Sequence, residues 1–178
     1  MKRKLLCLSL TSLFLLGCSK KIEEINVDSI KSKIENKEDF IFLIASKTCG
    51  HCKNLKREYN KSKYDYIFYE INIDNILDGI TSNDSKSMED YKYLASIVDY
   101  SFSNIKSYAL SKTYEEYFGY NYETYYGKDE YVEGYVDIVY PLSFFYSNGE
   151  LVNFELGDYS RDLENVMTRY SNEVSNNE

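Results

Sequence analysis

Cys49-Gly50-His51-Cys52 is where this sequence concentrates side chains able to do chemistry. A thiolate is the nucleophile of disulfide exchange, so a chain doing that work must stabilise a sulfur anion at working pH. Two cysteines at i and i+3 share one helical face and can close a small ring. A helix beginning here would offer unpaired N–H groups and a partial positive charge to Cys49. His51, between the sulfurs, adds positive charge or a hydrogen bond, and Lys47 and Lys53 add a weaker, screened contribution. Cys49 is therefore expected to have a depressed pKa and to be the exposed, attacking sulfur. Cys52 is expected to face the interior and resolve the mixed disulfide. Gly50 leaves the turn open to an incoming peptide.

Other uses of the motif fit less well. Structural zinc wants four ligands, commonly two such cysteine pairs. Beyond Cys7 and Cys18 the chain offers only Cys49, Cys52 and one histidine, so no metal and no cofactor is expected. Covalent haem attachment needs histidine right after the second cysteine, where this chain has Lys53. A cysteine protease needs a separate base, and His51 is the sole histidine. An inert structural disulfide is the remaining alternative, although so small a loop constrains little of the unfolded chain.

The flanking residues predict the elements that hold the motif. Phe40 to Ala45 is apolar without alternation, a strand buried on both faces. Cys52, Leu55 and Tyr59 then repeat at helical spacing, which puts the motif on the first turn of a helix. Tyr64 to Asp74 reads as a second strand, completing a parallel βαβ unit. Upstream, Val27, Ile30 and Ile34 predict a short amphipathic helix, with 19–25 as a linker before it. Downstream, Leu142–Ser147 and Glu150–Glu155 flank Asn148-Gly149, a hairpin signal. Ser160 is then expected to cap a helix carrying Leu163, Val166, Met167 and Tyr170, with a frayed polar tail from Ser171. Residues 75–135 fit no strand. Ser87 with Asp90 resembles a capping box ahead of a stripe of Tyr91, Leu94, Val98, Phe102 and Ile105. Thr113 with Glu116 suggests a second, shorter helix, and 114–135 is rich in tyrosine and acid.

The amino terminus reads as an address. Met1-Lys2-Arg3-Lys4 precedes an apolar run from Leu5 to Leu16, too short to span a bilayer but suited to a signal peptide. Leu15-Leu16-Gly17-Cys18 resembles the lipobox of bacterial lipoproteins. That resemblance implies cleavage before Cys18, a diacylglycerol on its sulfur, and an extracytoplasmic chain held to the bacterial cell membrane. The whole chain has 178 residues and a net charge of -8. So acidic a chain repels phosphate backbones, which argues against a nucleic-acid partner and leaves the lipid, not the surface, as the contact with the bilayer. With 43% hydrophobic residues there is material for a real core.

The run Phe40-Ile-Phe-Leu-Ile-Ala-Ser-Lys-Thr-Cys-Gly-His-Cys-Lys resembles the active-site strand and helix of the thioredoxin superfamily, with the Cys-Gly-His-Cys motif typical of protein disulfide isomerase domains. Tyr140-Pro141-Leu-Ser-Phe-Phe resembles the family's cis-proline loop, and Asn148-Gly149 and Gly157 its terminal hairpin and last turn. The resemblance implies a thioredoxin-like α/β fold: a central mixed sheet flanked by helices. Its halves would be 26–74 and 136–174, with a mostly helical, tyrosine-rich insertion at 75–135, a signal peptide at 1–17, a lipidated cysteine and linker at 18–25, and a tail at 175–178. It further implies a cis bond before Pro141, with Tyr140 pairing to an extended substrate. Two departures stand out. Thr48 replaces an aromatic residue, and Leu43 stands where relatives carry a buried acid that relays a proton to the second cysteine.

These readings converge on a thiol-disulfide oxidoreductase acting on cysteine-containing proteins, with the oxidase or isomerase direction favoured and a membrane or extracytoplasmic redox partner. The alternatives are a tethered reductase for cytochrome or surface-protein thiols and a non-catalytic surface-binding lipoprotein that keeps the fold.

Overall fold

The computed structural model describes residues 22–105, 138 and 140–176. The signal peptide, Cys18 and the helix expected near Thr113–Glu116 lie outside the described residues.

The fully apolar run becomes β2 (Phe40–Ala45), buried at every position. Its odd residues Ile41, Leu43 and Ala45 join one hydrophobic cluster, and its even residues Phe40, Phe42 and Ile44 join another. Such a strand is stable only where helices cover both faces of its sheet. Among the described residues the sheet has five strands in the order β1-β3-β2-β4-β5, where β1 is Ile22–Glu24, β3 Phe68–Asn72, β4 Leu142–Ser147 and β5 Glu150–Leu156. The pairs β1–β3 and β3–β2 are parallel, and β2–β4 and β4–β5 are antiparallel. The odd face packs α2 (Gly50–Lys61) and α5 (Leu163–Asn176) through Leu55, Tyr59, Val166 and Tyr170. The even face packs α1 (Val27–Glu35) and α4 (Ser85–Asn104) through Ile30, Tyr91, Leu94 and Val98. Aromatic rings stack across the even face, with Phe42 and Phe144 centroids 4.7 Å apart. Asn148 and Gly149 both take positive φ, 51° and 74°, as a two-residue hairpin requires.

Five local expectations are corrected. Residues Ile22–Glu24, expected in the linker of 18–25, form the edge strand β1, too short to announce itself by pattern. The second strand is only Phe68–Asn72, its pairing beginning where Phe68 meets Ile22 and Ile41. Tyr64 instead donates its hydroxyl to the Glu164 carbonyl on α5. The strand also ends early, because Asn72 caps α3 (Ile73–Thr81), a helix the sequence reading did not resolve within 75–135. Asp84, not Ser87, caps α4, its carboxylate accepting from the Lys86 and Ser87 amides. The last helix starts at Leu163 and continues to Asn176, past the expected fraying at Ser171. Ser160 is drawn away by Asn54, whose amide donates to its hydroxyl at 3.0 Å.

Candidate active site

The site lies where the carboxyl end of β2 meets the amino end of α2. Ser46 leaves the strand buried and the chain turns through a Cys49 N–H to Ser46 carbonyl bond of 3.3 Å. Cys49 is the N-cap of α2, not a residue of its first turn, and its Sγ accepts from the Cys52 amide at 3.0 Å. That bond occupies one of the orphan amides at the helix start with a sulfur acceptor. Cys49 and Cys52 form a disulfide, with Cα atoms 5.3 Å apart. Cys49 is partly exposed and Cys52 fully buried. An incoming thiol therefore meets Cys49 first. Gly50 is exposed, and a Cβ there would meet nothing within 4 Å, so packing does not demand the glycine.

The loop before Cys49 is held by a residue the sequence reading missed. Asp74, in the first turn of α3, accepts from the Lys47 amide at 2.8 Å and from the Ser46 hydroxyl at 3.2 Å. Ser46 in turn accepts from the Thr48 amide at 3.2 Å, and the two hydroxyls share a hydrogen bond of 3.0 Å. Thr48 thus ties down its own loop where an aromatic was expected.

His51 is 80% exposed, with Nδ1 3.8 Å from Asp158 Oδ2. Asp158 lies in the turn after β5 and was also missed. It accepts from Asn54 at 2.5 Å and from the Ser160 amide at 3.1 Å. Burial alone would raise this carboxyl, but the hydrogen bonds from Ser160 and Asn54 and the nearby His51 hold it below its ordinary value. Arg57 donates to the Asn54 carbonyl, so a polar chain runs from α2 to the β5–α5 turn. A group whose folded value is depressed stabilises the fold above the unfolded value of about 3.9 and loses that contribution as pH falls through the folded value. Urea midpoints measured from pH 6 to pH 2.5 are expected to fall in the acidic limb, and to fall less steeply in Asp158→Asn. Equal acid slopes would show that Asp158 contributes nothing to the linkage.

The Tyr140–Pro141 bond is cis, as expected. Leu142 pairs with Ile44, so Pro141 sits at the same sheet end as the cysteine pair. Its carbonyl accepts from the Gly157 amide at 2.8 Å, which joins the proline loop to the turn carrying Asp158. Tyr140 is 41% exposed beside it.

Leu43 is fully buried, and its row across the sheet contains Glu70 on β3, Ser143 on β4 and Glu155 on β5. Glu70 pairs with Lys56 of α2 at 2.8 Å. Glu155 is fully buried and accepts from Asn153 at 3.0 Å, while Tyr159 donates to Ser143 at 3.0 Å. Burial pushes the Tyr159 phenol well above its ordinary value. The carboxyls of this layer thus lie on β3 and β5, not on β2.

Strand order, the cysteine pair at the β2–α2 junction and the cis-proline loop together define a thioredoxin-like α/β fold. Comparison with protein-family models gives no match, and comparison with curated protein sequences gives none either. Among solved structures, the chain is similar to the short form of thioredoxin f from spinach chloroplast, at 15% identity over 85% of this chain and 95% of that one, with a TM-score of 0.47. It is similar to a thioredoxin from Malassezia sympodialis at 15% identity over 84% and 93%, TM-score 0.45. It is also similar to reduced thioredoxin from Schistosoma mansoni at 15% identity over 84% and 97%, TM-score 0.43.

Proposed function

We propose that the chain is an extracytoplasmic thiol-disulfide oxidoreductase, anchored through a lipidated Cys18 and working mainly in the oxidase or isomerase direction. The observation that carries the chemistry is the Cys49–Cys52 disulfide, with one sulfur reachable at a helix cap and the other buried behind it. In the oxidising direction a substrate thiolate attacks Cys49 Sγ, the S–S bond breaks, and Cys52 leaves as a thiolate that takes up a proton. A second substrate thiolate then attacks its own sulfur in the mixed disulfide and releases Cys49 as a thiolate. The substrate gains a disulfide and the enzyme pair holds the two electrons, which an extracytoplasmic or membrane partner must accept. Helix-end polarity and the His51 side chain favour the Cys49 anion as leaving group. Tyr140 and Pro141 offer backbone to an extended substrate segment, as in strand addition.

Equilibration with glutathione buffers tests the direction. A potential nearer ~−180 mV than the ~−270 mV of thioredoxin is expected. A value at or below the latter would replace the oxidase reading by the reductase one. Alkylation of reduced Cys49 no faster than that of free cysteine near neutral pH would remove both.

A further inference from the structure

The direction of the strands fixes which end of the domain the anchor reaches. Ile22 pairs with Phe68, and Phe68 with Ile41, so the chain enters the sheet in the row near the start of β2. Cys49 follows the opposite end of that strand, past Ala45. From the row of Ile41 to that of Ala45 is four residues, or about 13 Å at the usual strand rise of ~3.3 Å. Cys18 is likewise four residues before Ile22, a reach of at most ~14 Å even when fully extended. Doubled back along the sheet, the tether would barely draw level with Ala45.

The opposite end is built from packed turns. The α1–β2 turn and the β4–β5 hairpin meet there, the Gly149 amide donating to the Glu38 carbonyl at 3.1 Å.

From this the geometry points to a fixed polarity of the anchored chain: the end carrying the 36–39, 62–67 and 148–149 loops faces the bilayer, and Cys49 with the Tyr140–Pro141 loop faces the aqueous phase, so the partner it fits is a water-soluble thiol or disulfide polypeptide and not a cysteine pair at headgroup level. This rests on the proposed Cys18 anchor and exchange activity.

The test uses the lipidated full chain, reduced, in phosphatidylcholine vesicles. It is offered oxidised glutathione or a disulfide carried on a phosphatidylethanolamine headgroup, and each probe oxidises the Cys49–Cys52 dithiol while being cleaved to two thiols. A second form carries about twenty Gly/Ser residues inserted before Ile22, enough to let the domain turn over. Glutathione disulfide should react equally with both forms. The headgroup disulfide should react at least about ten-fold more slowly with the natural tether, because a tether too short to span the sites brings the effective concentration towards zero. Equal headgroup rates in the two forms would overturn the polarity. Vesicle flotation reports separately on the anchor, and the glutathione reaction on the exchange activity. A chain that does not float, or floats only with Cys18 unmodified, overturns the inference through its anchor.

Discussion

Cys52→Ala is expected to accumulate covalent complexes with substrate at Cys49, and Cys49→Ser to accumulate none. Cys52 is fully buried and bonded to Cys49, so under the proposed function it leaves when substrate attacks Cys49 and, in the reverse step, attacks the mixed disulfide internally. An internal nucleophile at fixed geometry has an effective concentration far above any thiol in solution, and its loss should lengthen the life of the mixed disulfide by on the order of 10³-fold or more. Non-reducing electrophoresis after quenching with acid would read the trapped species, and mass spectrometry would place the bond at Cys49. Complexes of equal lifetime in the wild type and Cys52→Ala would mean that Cys52 does not resolve them. Cys49→Ser leaves an alcohol at the helix cap, which still accepts the amide hydrogen bond but cannot exchange. Its fold should persist while turnover disappears. Persistence of whatever the chain does in the cell after Cys49→Ser would instead favour the non-catalytic lipoprotein.

The largest expected loss of stability comes from the other face of the sheet. Phe42 is fully buried in the central strand, stacked on Phe144 at 4.7 Å and near Phe40 at 6.3 Å. Phe42→Ala removes both the apolar area and the ring contacts, and β2 is clamped by a strand on each side, which limits collapse of the cavity. A cost of about 3–5 kcal/mol is expected, measured as a lower urea midpoint with an unchanged slope. Because Phe42 lies on the face away from Cys52, alkylation of Cys49 in the folded variant should keep its wild-type rate. A loss below about 1 kcal/mol would mean that the helices of that face close over the gap.

What could be read without coordinates was local or repetitive. Six apolar residues in a row can be stable only between two layers, so β2 and its doubly covered sheet followed from Phe40–Ala45 alone. Helical spacing gave α1, α2, and the stripe of α4, and Asn148-Gly149 gave the hairpin, since few other residues take two successive positive φ values cheaply. The cysteine spacing carried the chemistry for a similar reason: exchange needs two sulfurs within bonding distance, and i, i+3 at a helix start supplies that without help from the rest of the chain.

What tertiary structure decided concerns partners far apart in sequence. Asp74 meets the loop before Cys49, and Asp158 meets His51 and Asn54, only because parallel strands and a returning hairpin bring their turns to one end of the sheet. Nothing near those aspartates marks them, as isolated acids in turns are ordinary. The resemblance places a buried acid at position 43, where this chain has Leu43; Glu70 and Glu155 stand in its row on other strands, and register is not written in any one segment. The three-residue β1 exists because β3 leaves an edge to pair with, and the end of β3 is set by the cap at Asn72. Side-chain type and spacing determine what a segment can do by itself. Which segments face one another depends on backbone pairing across the sheet, a property of the assembled chain.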